Sequence, residues 1–186
     1  MGIVQGSGID TSLNDLGRRQ ARAFYERYRH VPFDKVYTST LKRTVESVDD
    51  FIRGGVVHES LSGLNEINWG KKEGKQITPD SDAYYRYLID EWARGNTTLA
   101  IEGGESPDDV FRRLSTSLDH ILANHHERNV LICMHGRAIR IMLCRMLERP
   151  LRFMDEFNHT NLGLYLLDYS AYGFVVELEN DIGHLG

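Results

Sequence analysis

The segment that most constrains this chain is residues 129–143, which reads NVLICMHGRAIRIML. The continuous apolar run over residues 129–134 is typical of a strand that is buried on both faces of a parallel sheet. His135 and Gly136 follow, and a helix is predicted over residues 138–147. Ligands of open α/β sheets bind beyond the carboxyl ends of the strands, and a histidine beside a helix N-terminus suits an anion, above all phosphate. A structural histidine at a strand end is the alternative interpretation of His135.

Helices and strands alternate along the rest of the chain. Asn14 or Asp15 and, later, Ser106 followed by Pro107 are signals for the start of a helix. Helices are predicted over residues 15–29, 40–52, 82–94 and 107–124, strands over 35–39 and 56–57, and a hairpin over 162–168 and 174–179. Residues 1–12 and 59–81 are rich in glycine and are predicted to be loops. This alternation predicts an α/β fold with a mostly parallel sheet and a final hairpin.

Composition excludes several classes of protein. The 186 residues suggest one domain, and the net charge of −5 argues against a general nucleic-acid binder. No apolar run approaches the roughly 20 residues that span a bilayer, and no signal peptide is visible. Cys133 and Cys144 do not make a disulfide framework, and both are interpreted as buried small hydrophobic residues. A cytoplasmic protein that binds neither membranes nor nucleic acid is expected.

Two further residues could act at the same sheet edge as His135. Arg43 falls in the first turn of a helix that follows a strand, where its forked guanidinium suits phosphate. Glu66 lies in the loop LNEINWGKKEGK over residues 64–75 and would serve as a general acid if its pKa is raised. A surface arginine and a solvated loop glutamate are the alternative interpretations.

Metal and nucleotide sites find little support. The chain has eight histidines, but none has the spacing of a zinc site. The sequence has neither GxxxxGK[ST] nor GxGxxG, the two glycine-rich motifs of nucleotide-binding α/β proteins. We therefore expect no metal and no cofactor.

The order of the motifs along the chain is specific. A QG…D..L…G segment is followed by TSTLKR, LNEI..G..EG, GGES and a strand that ends in His-Gly. This order resembles the histidine phosphatase superfamily, whose fold is similar to that of phosphoglycerate mutase. The resemblance implies a single three-layer α/β/α domain over residues 1–186, with a mostly parallel central sheet and a small helical cap at about residues 68–102. It also implies phosphoryl transfer from a small phosphomonoester through a phosphohistidine, without a metal.

The resemblance also implies roles for individual residues. His135, with Gly136 beside it, is similar to the second histidine of the family's phosphate pocket. Arg43 is similar to the arginine that holds phosphoryl oxygens, and Glu66 to the proton donor. Gln5 is similar to a glutamine that phosphatases of the family place near the phosphate. His135, Glu66 and Arg43 are therefore the predicted catalytic residues.

One family motif is absent. The nucleophilic histidine of the family lies in an Arg-His-Gly motif on the first strand, and this sequence contains no Arg-His-Gly. An internal methionine taken as the start, a cut chain, and a natural non-catalytic relative are the three explanations, of which we favour the first two. The chain is then expected to lack the first central strand and to be inactive. The alternative is a non-catalytic module that binds phosphate or a phosphoprotein.

A missing central strand has consequences for the sheet. Unpaired backbone groups are expected on the flanking strands, chiefly those at residues 35–39 and 129–134. Either these two strands close up on each other, or another chain or segment fills the slot and produces a dimer. Residues 1–12 are not expected to supply the strand.

The family contains both mutases and phosphatases. Glu66 and Glu105 are only 39 positions apart, whereas bisphosphoglycerate-dependent mutases of the family tend to carry longer insertions there. This short connection, with Gln5, favours a broad-specificity phosphomonoesterase. The aromatic residues of the cap are more readily interpreted as its core than as contacts to substrate.

Overall fold

The computed structural model describes residues 3–76 and 78–186, apart from the side chains of Asp80 and Ser81. The helices are α1 (Asp15–Tyr28), α2 (Lys42–Arg53), α3 (Pro79–Ala93), α4 (Pro107–Ala123) and α5 (Gly136–Met146). The strands are β1 (Lys35–Thr38), β2 (Val57–Ser60), β3 (Val130–Cys133), β4 (Leu164–Ser170) and β5 (Gly173–Asp181). Short 3₁₀ turns cover Ser62–Leu64, Gly70–Lys72 and Leu151–Glu156. The alternation of helix and strand predicted from the sequence is confirmed.

Local signals set two of the helix starts. The side chain of Asn14 accepts a hydrogen bond from the backbone N–H of Gly17 and caps α1. Ser106 and Asp109 form a reciprocal capping box at the start of α4. Several boundaries differ from the prediction. Three helices begin elsewhere: α2 at Lys42 rather than at residue 40, α3 at Pro79 rather than at 82, and α5 at Gly136 rather than at 138. Among the strands, β2 covers Val57–Ser60 rather than residues 56–57, and the hairpin strands are shifted by one or two residues.

Helices cover both faces of a parallel sheet. The strand order is β2-β1-β3, and both pairings are parallel. Successive residues of a strand point to opposite faces, so Val36 packs with Phe24 of α1 and Phe51 of α2. Tyr37 packs in the second core cluster, which α4 and α5 dominate. The result is the three-layer α/β/α arrangement that the sequence predicted.

The described strands form two separate sheets. The strands expected to flank an open slot, β1 and β3, pair directly, from Lys35 with Val130 to Thr38 with Cys133. The slot is therefore not between these two strands. The prediction that β1 has unpaired backbone groups is wrong, because β1 pairs with β2 on one side and with β3 on the other. Among the described residues, the second sheet is the antiparallel hairpin of β4 and β5. Residues 3–14 add no strand, and Ile3 makes only a single antiparallel bridge to Gln76.

The slot lies between the edges of β3 and β4 instead. A cavity of about 1910 Å³ separates these strands and continues toward His135. We call this space the β3–β4 cleft, and both helical layers contribute apolar side chains to it. Its apolar lining includes Phe24, Val48, Leu118, Ile121, Leu131, Ile139, Met142, Leu164 and Leu167.

None of the helices among the described residues has the length and apolar character of a membrane span.

Candidate functional site

The structure brings Arg43 and His135 into contact at the carboxyl ends of β1 and β3. His135 is the N-cap residue of α5, two positions after β3 ends, and Arg43 is the second residue of α2. The Nε atom of Arg43 donates a hydrogen bond to Nδ1 of His135 at 3.2 Å. Two residues that are 92 positions apart in the sequence therefore share one edge of the sheet.

The contacts of His135 define its protonation. Because Nδ1 accepts from Arg43, the proton of the neutral ring is on Nε2, which lies 2.7 Å from Oγ of Ser39. Burial, together with the positive charge of Arg43, lowers the pKa of His135 to about 3. The ring is neutral at pH 7, and both of its nitrogens have partners within the protein.

Arg43 is held by a glycine-rich loop. Its Nη1 donates to the carbonyl of Ile9 at 2.6 Å and its Nη2 to the carbonyl of Gly6 at 3.1 Å. A Cβ on Gly6 would lie 2.5 Å from the backbone oxygen of Ile67, so only glycine fits this approach. Burial lowers the pKa of Arg43, although the nearby carboxylate of Glu66 opposes the shift.

Glu66 is not a solvated loop residue. Its side chain is buried, and Oε1 accepts from the backbone N–H groups of Ile67 and Ala138 at 2.9 and 3.0 Å. Oε2 accepts from the backbone N–H of Arg137 at 3.1 Å. The carboxylate thus caps the first turn of α5, where backbone donors and the helix dipole favour negative charge. Burial raises the pKa of Glu66 despite these hydrogen bonds.

Arg113 fixes the loop that carries Glu66, and sequence reasoning missed it. Its guanidinium forms a bidentate pair with Glu105 at 2.8 and 2.9 Å. It also donates to the carbonyls of Gly63, Asn65 and Glu66 at 2.7–3.0 Å. The GGES motif contains Glu105, but nothing local in the sequence indicates that the arginine eight residues later would bind a distant loop.

The other two predicted residues are at the margin of this site. Gln5 is exposed, its amide lies 3.5 Å from Oγ1 of Thr11, and it lines the same cavity as Arg43 and His135. Gly136 is the first residue of α5, and the ring of His159 packs against it. Within the described residues, no group of three or more His, Cys, Asp or Glu side chains is placed to hold a metal ion.

Comparison with known proteins decides the family. The model of the histidine phosphatase superfamily (branch 1) matches residues 2–182. The chain belongs to this superfamily. A probable phosphoglycerate mutase GpmB of Yersinia pestis is 27% identical to this family member, over 98% of this chain and 86% of the relative.

Solved structures agree on the fold of this superfamily member. Bacillus stearothermophilus YhfR superposes with a TM-score of 0.82 at 25% identity, over 98% of this chain and 91% of that protein. The mycobacterial glucosyl-3-phosphoglycerate phosphatase in complex with inorganic phosphate gives 0.83 at 23% identity, over 98% and 93%. The α-ribazole phosphatase of Shigella flexneri gives 0.82 at 20% identity, over 97% and 89%.

The predicted cap region of this family member contains two classes of aromatic side chain. Trp69 and Trp92 are buried and stack with ring centroids 6.1 Å apart. Tyr84, Tyr85 and Tyr87 remain exposed. The tryptophans are core residues of this region, as predicted. The three tyrosines are partly exposed, and Tyr85 packs edge-on against Trp69.

Arg137 joins this region to α5. Its guanidinium donates to the hydroxyl of Tyr85 at 2.8 Å and lies over the ring of Trp92, 5.5 Å from the centroid. It also pairs with Asp155 at 2.5 Å. One buried arginine thus connects α3 and the Leu151–Glu156 turn to the helix whose first turn Glu66 caps.

Proposed function

We propose that this chain binds the phosphoryl group of a small phosphomonoester at the N-terminus of α5. The observation that carries the proposal is the direct contact of Arg43 with His135 beside the buried carboxylate of Glu66. A guanidinium has five N–H donors, and the structure accounts for three of those on Arg43. The remaining donors, with the positive end of the α5 dipole, suit a phosphate dianion.

Glu66 has the properties of the proton donor in this function. Burial raises the pKa of Glu66, so its carboxyl group stays protonated to a higher pH than usual. A protonated carboxyl group in this position has a proton to donate to a leaving alkoxide. Its position on the α5 N-terminus puts it next to the phosphate site that we propose. After transfer, the same carboxylate is placed to accept a proton from the attacking water.

The nucleophile is the part of the site that these 186 residues lack. We propose that they bind phosphate and do not turn over substrate, because they contain no Arg-His-Gly. In the reaction, a histidine nitrogen forms a bond to phosphorus, the P–O bond to the alcohol breaks, and Glu66 protonates the alkoxide. Water then attacks the phosphohistidine and releases inorganic phosphate. The β3–β4 cleft, which reaches His135, is where a strand bearing that histidine would lie.

We favour hydrolysis over mutase chemistry. The names of the similar proteins point both ways, since the curated relative is called a probable phosphoglycerate mutase and two of the structural neighbours are called phosphatases. The connection between Glu66 and Glu105 spans only 39 positions, and the exposed tyrosines of α3 are available to a variable substrate. These features support a phosphatase with broad specificity.

We also infer a reducing compartment, the cytoplasm. Cys133 and Cys144 are both free, and burial raises their pKa values to about 12 and about 11. Such thiols are inert and need no partner.

Phosphate binding tests the first part of the proposal. Titration of the chain with inorganic phosphate should give saturable binding, and Arg43→Ala should weaken it by about 10-fold or more, as expected for hydrogen bonds to a charged group. Arg53→Ala, at the far end of the same helix and exposed, is the matched control and should leave binding unchanged. Binding that is insensitive to Arg43→Ala would refute the site.

Turnover tests the second part. We expect no metal-free hydrolysis of p-nitrophenyl phosphate by this chain, and hydrolysis by a version extended at its amino terminus with an apolar strand that ends in Arg-His-Gly. Replacing the added histidine with alanine should abolish the gain. Phosphate binding without turnover in both versions would favour the non-catalytic binding module. Turnover by the unextended chain would refute our assignment of the nucleophile and make His135 the next residue to substitute.

A further inference from the structure

His159 lies against the candidate site, and neither the motifs nor the proposed reaction uses it. It belongs to the loop between the Leu151–Glu156 turn and β4. A Cβ built on Gly136 would be 3.1 Å from Cε1 and 3.2 Å from Nδ1 of this ring. The imidazole therefore packs on the first residue of α5, directly beside the helix N-terminus.

The ring of His159 is open to the cavity that contains the site. His159 is exposed, and it lines the same cavity as Arg43, Glu66 and His135. Among the residues that the structure describes, none forms a hydrogen bond with its ring nitrogens. The residue as a whole is exposed, but desolvation of its ring beside α5, with the positive charge of Arg140, lowers the pKa of His159. In its neutral form the ring has one N–H donor and one acceptor.

The contrast with His135 is what makes this ring informative. Both nitrogens of His135 have partners inside the protein, one with Arg43 and the other with Ser39. A phosphate placed at the α5 N-terminus therefore finds no free imidazole N–H on His135 unless that network rearranges. His159 lines the same cavity, and its ring nitrogens form no hydrogen bond with the described residues, so its N–H is available without any rearrangement.

We propose that His159 is a ligand-binding residue of this pocket and donates its ring N–H to an oxygen of the bound phosphoryl group. This proposal rests on the function proposed above. It also explains why Gly136 follows His135, because any larger residue would push the ring out of position. An alanine there has ordinary backbone angles but must displace the imidazole by a few tenths of an ångström.

The test is titration with inorganic phosphate, measured by calorimetry. His159→Ala should weaken phosphate binding by about 10-fold, the effect of losing one hydrogen bond to a charged group. His159→Asn keeps a donor near the position of Nδ1 and should retain part of the affinity. His30→Ala, an exposed histidine outside the cavity, is the matched control and should have no effect. Gly136→Ala should also weaken phosphate binding, because it displaces the His159 ring without removing it.

A spectroscopic measurement separates contact from structural support. Phosphate should shift the imidazole ¹⁵N signals of His159 and leave those of His30 unchanged. If the unmodified chain binds phosphate while His159→Ala binds it equally and the His159 signals do not move, this inference is wrong and the proposed function stands. If the unmodified chain does not bind phosphate, both proposals fail.

Discussion

The carboxyl ends of β1 and β3 differ from the β4–β5 hairpin in how many of their side chains have partners within the protein. At the carboxyl ends of β1 and β3, buried polar groups pair with one another, as in the network of Ser39, Thr44 and His135. At the hairpin, large apolar side chains remain open to solvent: Leu166 is 45% exposed, Tyr169 57%, Val175 56% and Leu178 41%. Two contacts join the hairpin region to α1, a hydrogen bond from Tyr28 to Asp181 and the packing of Phe24 against His184. The polar groups of the first region are therefore already paired, whereas the apolar groups of the second face the cleft or solvent.

The largest expected difference is in packing energy. Leu114 on α4 is 0% exposed, so Leu114→Ala should lower the free energy of unfolding by about 2–5 kcal/mol. Leu166→Ala on β4 makes the same chemical change at the cleft and should cost less than about 1 kcal/mol. Urea unfolding of both variants measures the two values. Equal losses would show that the hairpin is packed as tightly as the core around Leu114.

The second prediction concerns the loop that carries Glu66. Arg113→Ala removes five hydrogen bonds and should cost about 2–3 kcal/mol of unfolding free energy. Arg113→Lys should recover only part of this loss, because an ammonium cannot reproduce the forked geometry. The neighbouring Arg112→Ala is the control, since its exposed pair with Asp109 should contribute less than about 0.5 kcal/mol. A small effect of Arg113→Ala would mean that the loop keeps its shape without the clamp.

This clamp also shows where sequence reasoning reaches its limit. The caps at Asn14 and Ser106 are predictable because donor and acceptor lie within three residues. The meeting of Arg43 and His135 is predictable because parallel strands bring their carboxyl ends to one edge. Arg113 and His159 follow from neither rule, since their partners are set by how distant loops pack. For the same reason the sequence could not show that Glu66 caps α5, or that the cleft lies between β3 and β4.

The third prediction concerns the pH dependence of stability, to which the buried carboxyl group of Glu66 contributes. Its pKa in the folded state is raised above 4.5, so the stability that it contributes is complete below that value and is lost as pH rises through the raised pKa. Glu66→Gln should remove this decline. Relative to the unmodified protein, the variant should therefore gain stability as pH rises from about 4.5 toward neutrality, measured by urea unfolding across that range. Parallel pH profiles for the two proteins would contradict a raised pKa.

His135 should act with the opposite sign and serves as the internal check. Its pKa falls from 6.5 to about 3 on folding, so its contribution is complete above 6.5 and is lost as pH falls toward 3. His135→Asn should therefore flatten the loss of stability on the acidic side. The two substitutions should tilt the pH profile in opposite directions.

The smallest expected effect is association through the cleft. An edge strand with exposed apolar side chains is a template for pairing with another chain. Among the described strands, β4 is an edge of the hairpin sheet, and its Leu166 and Tyr169 are exposed. We expect a weak dimer by sedimentation velocity at high protein concentration. Leu166→Lys should abolish it, whereas Tyr87→Lys, which changes an equally exposed ring on α3, should not.

Filling the cleft is the complementary experiment. The version extended by an apolar strand should remain monomeric at every concentration, because that strand pairs with β3 and β4 and is buried by both helical layers. It should also convert Leu166→Ala from a mild substitution into a costly one, since the side chain would then be covered. Monomers in both versions would mean that the hairpin edge is protected by its own twist and that the cleft is not a docking surface. A dimer that persists in the extended version would place the interface elsewhere and leave the contrast between the two ends as a property of packing alone.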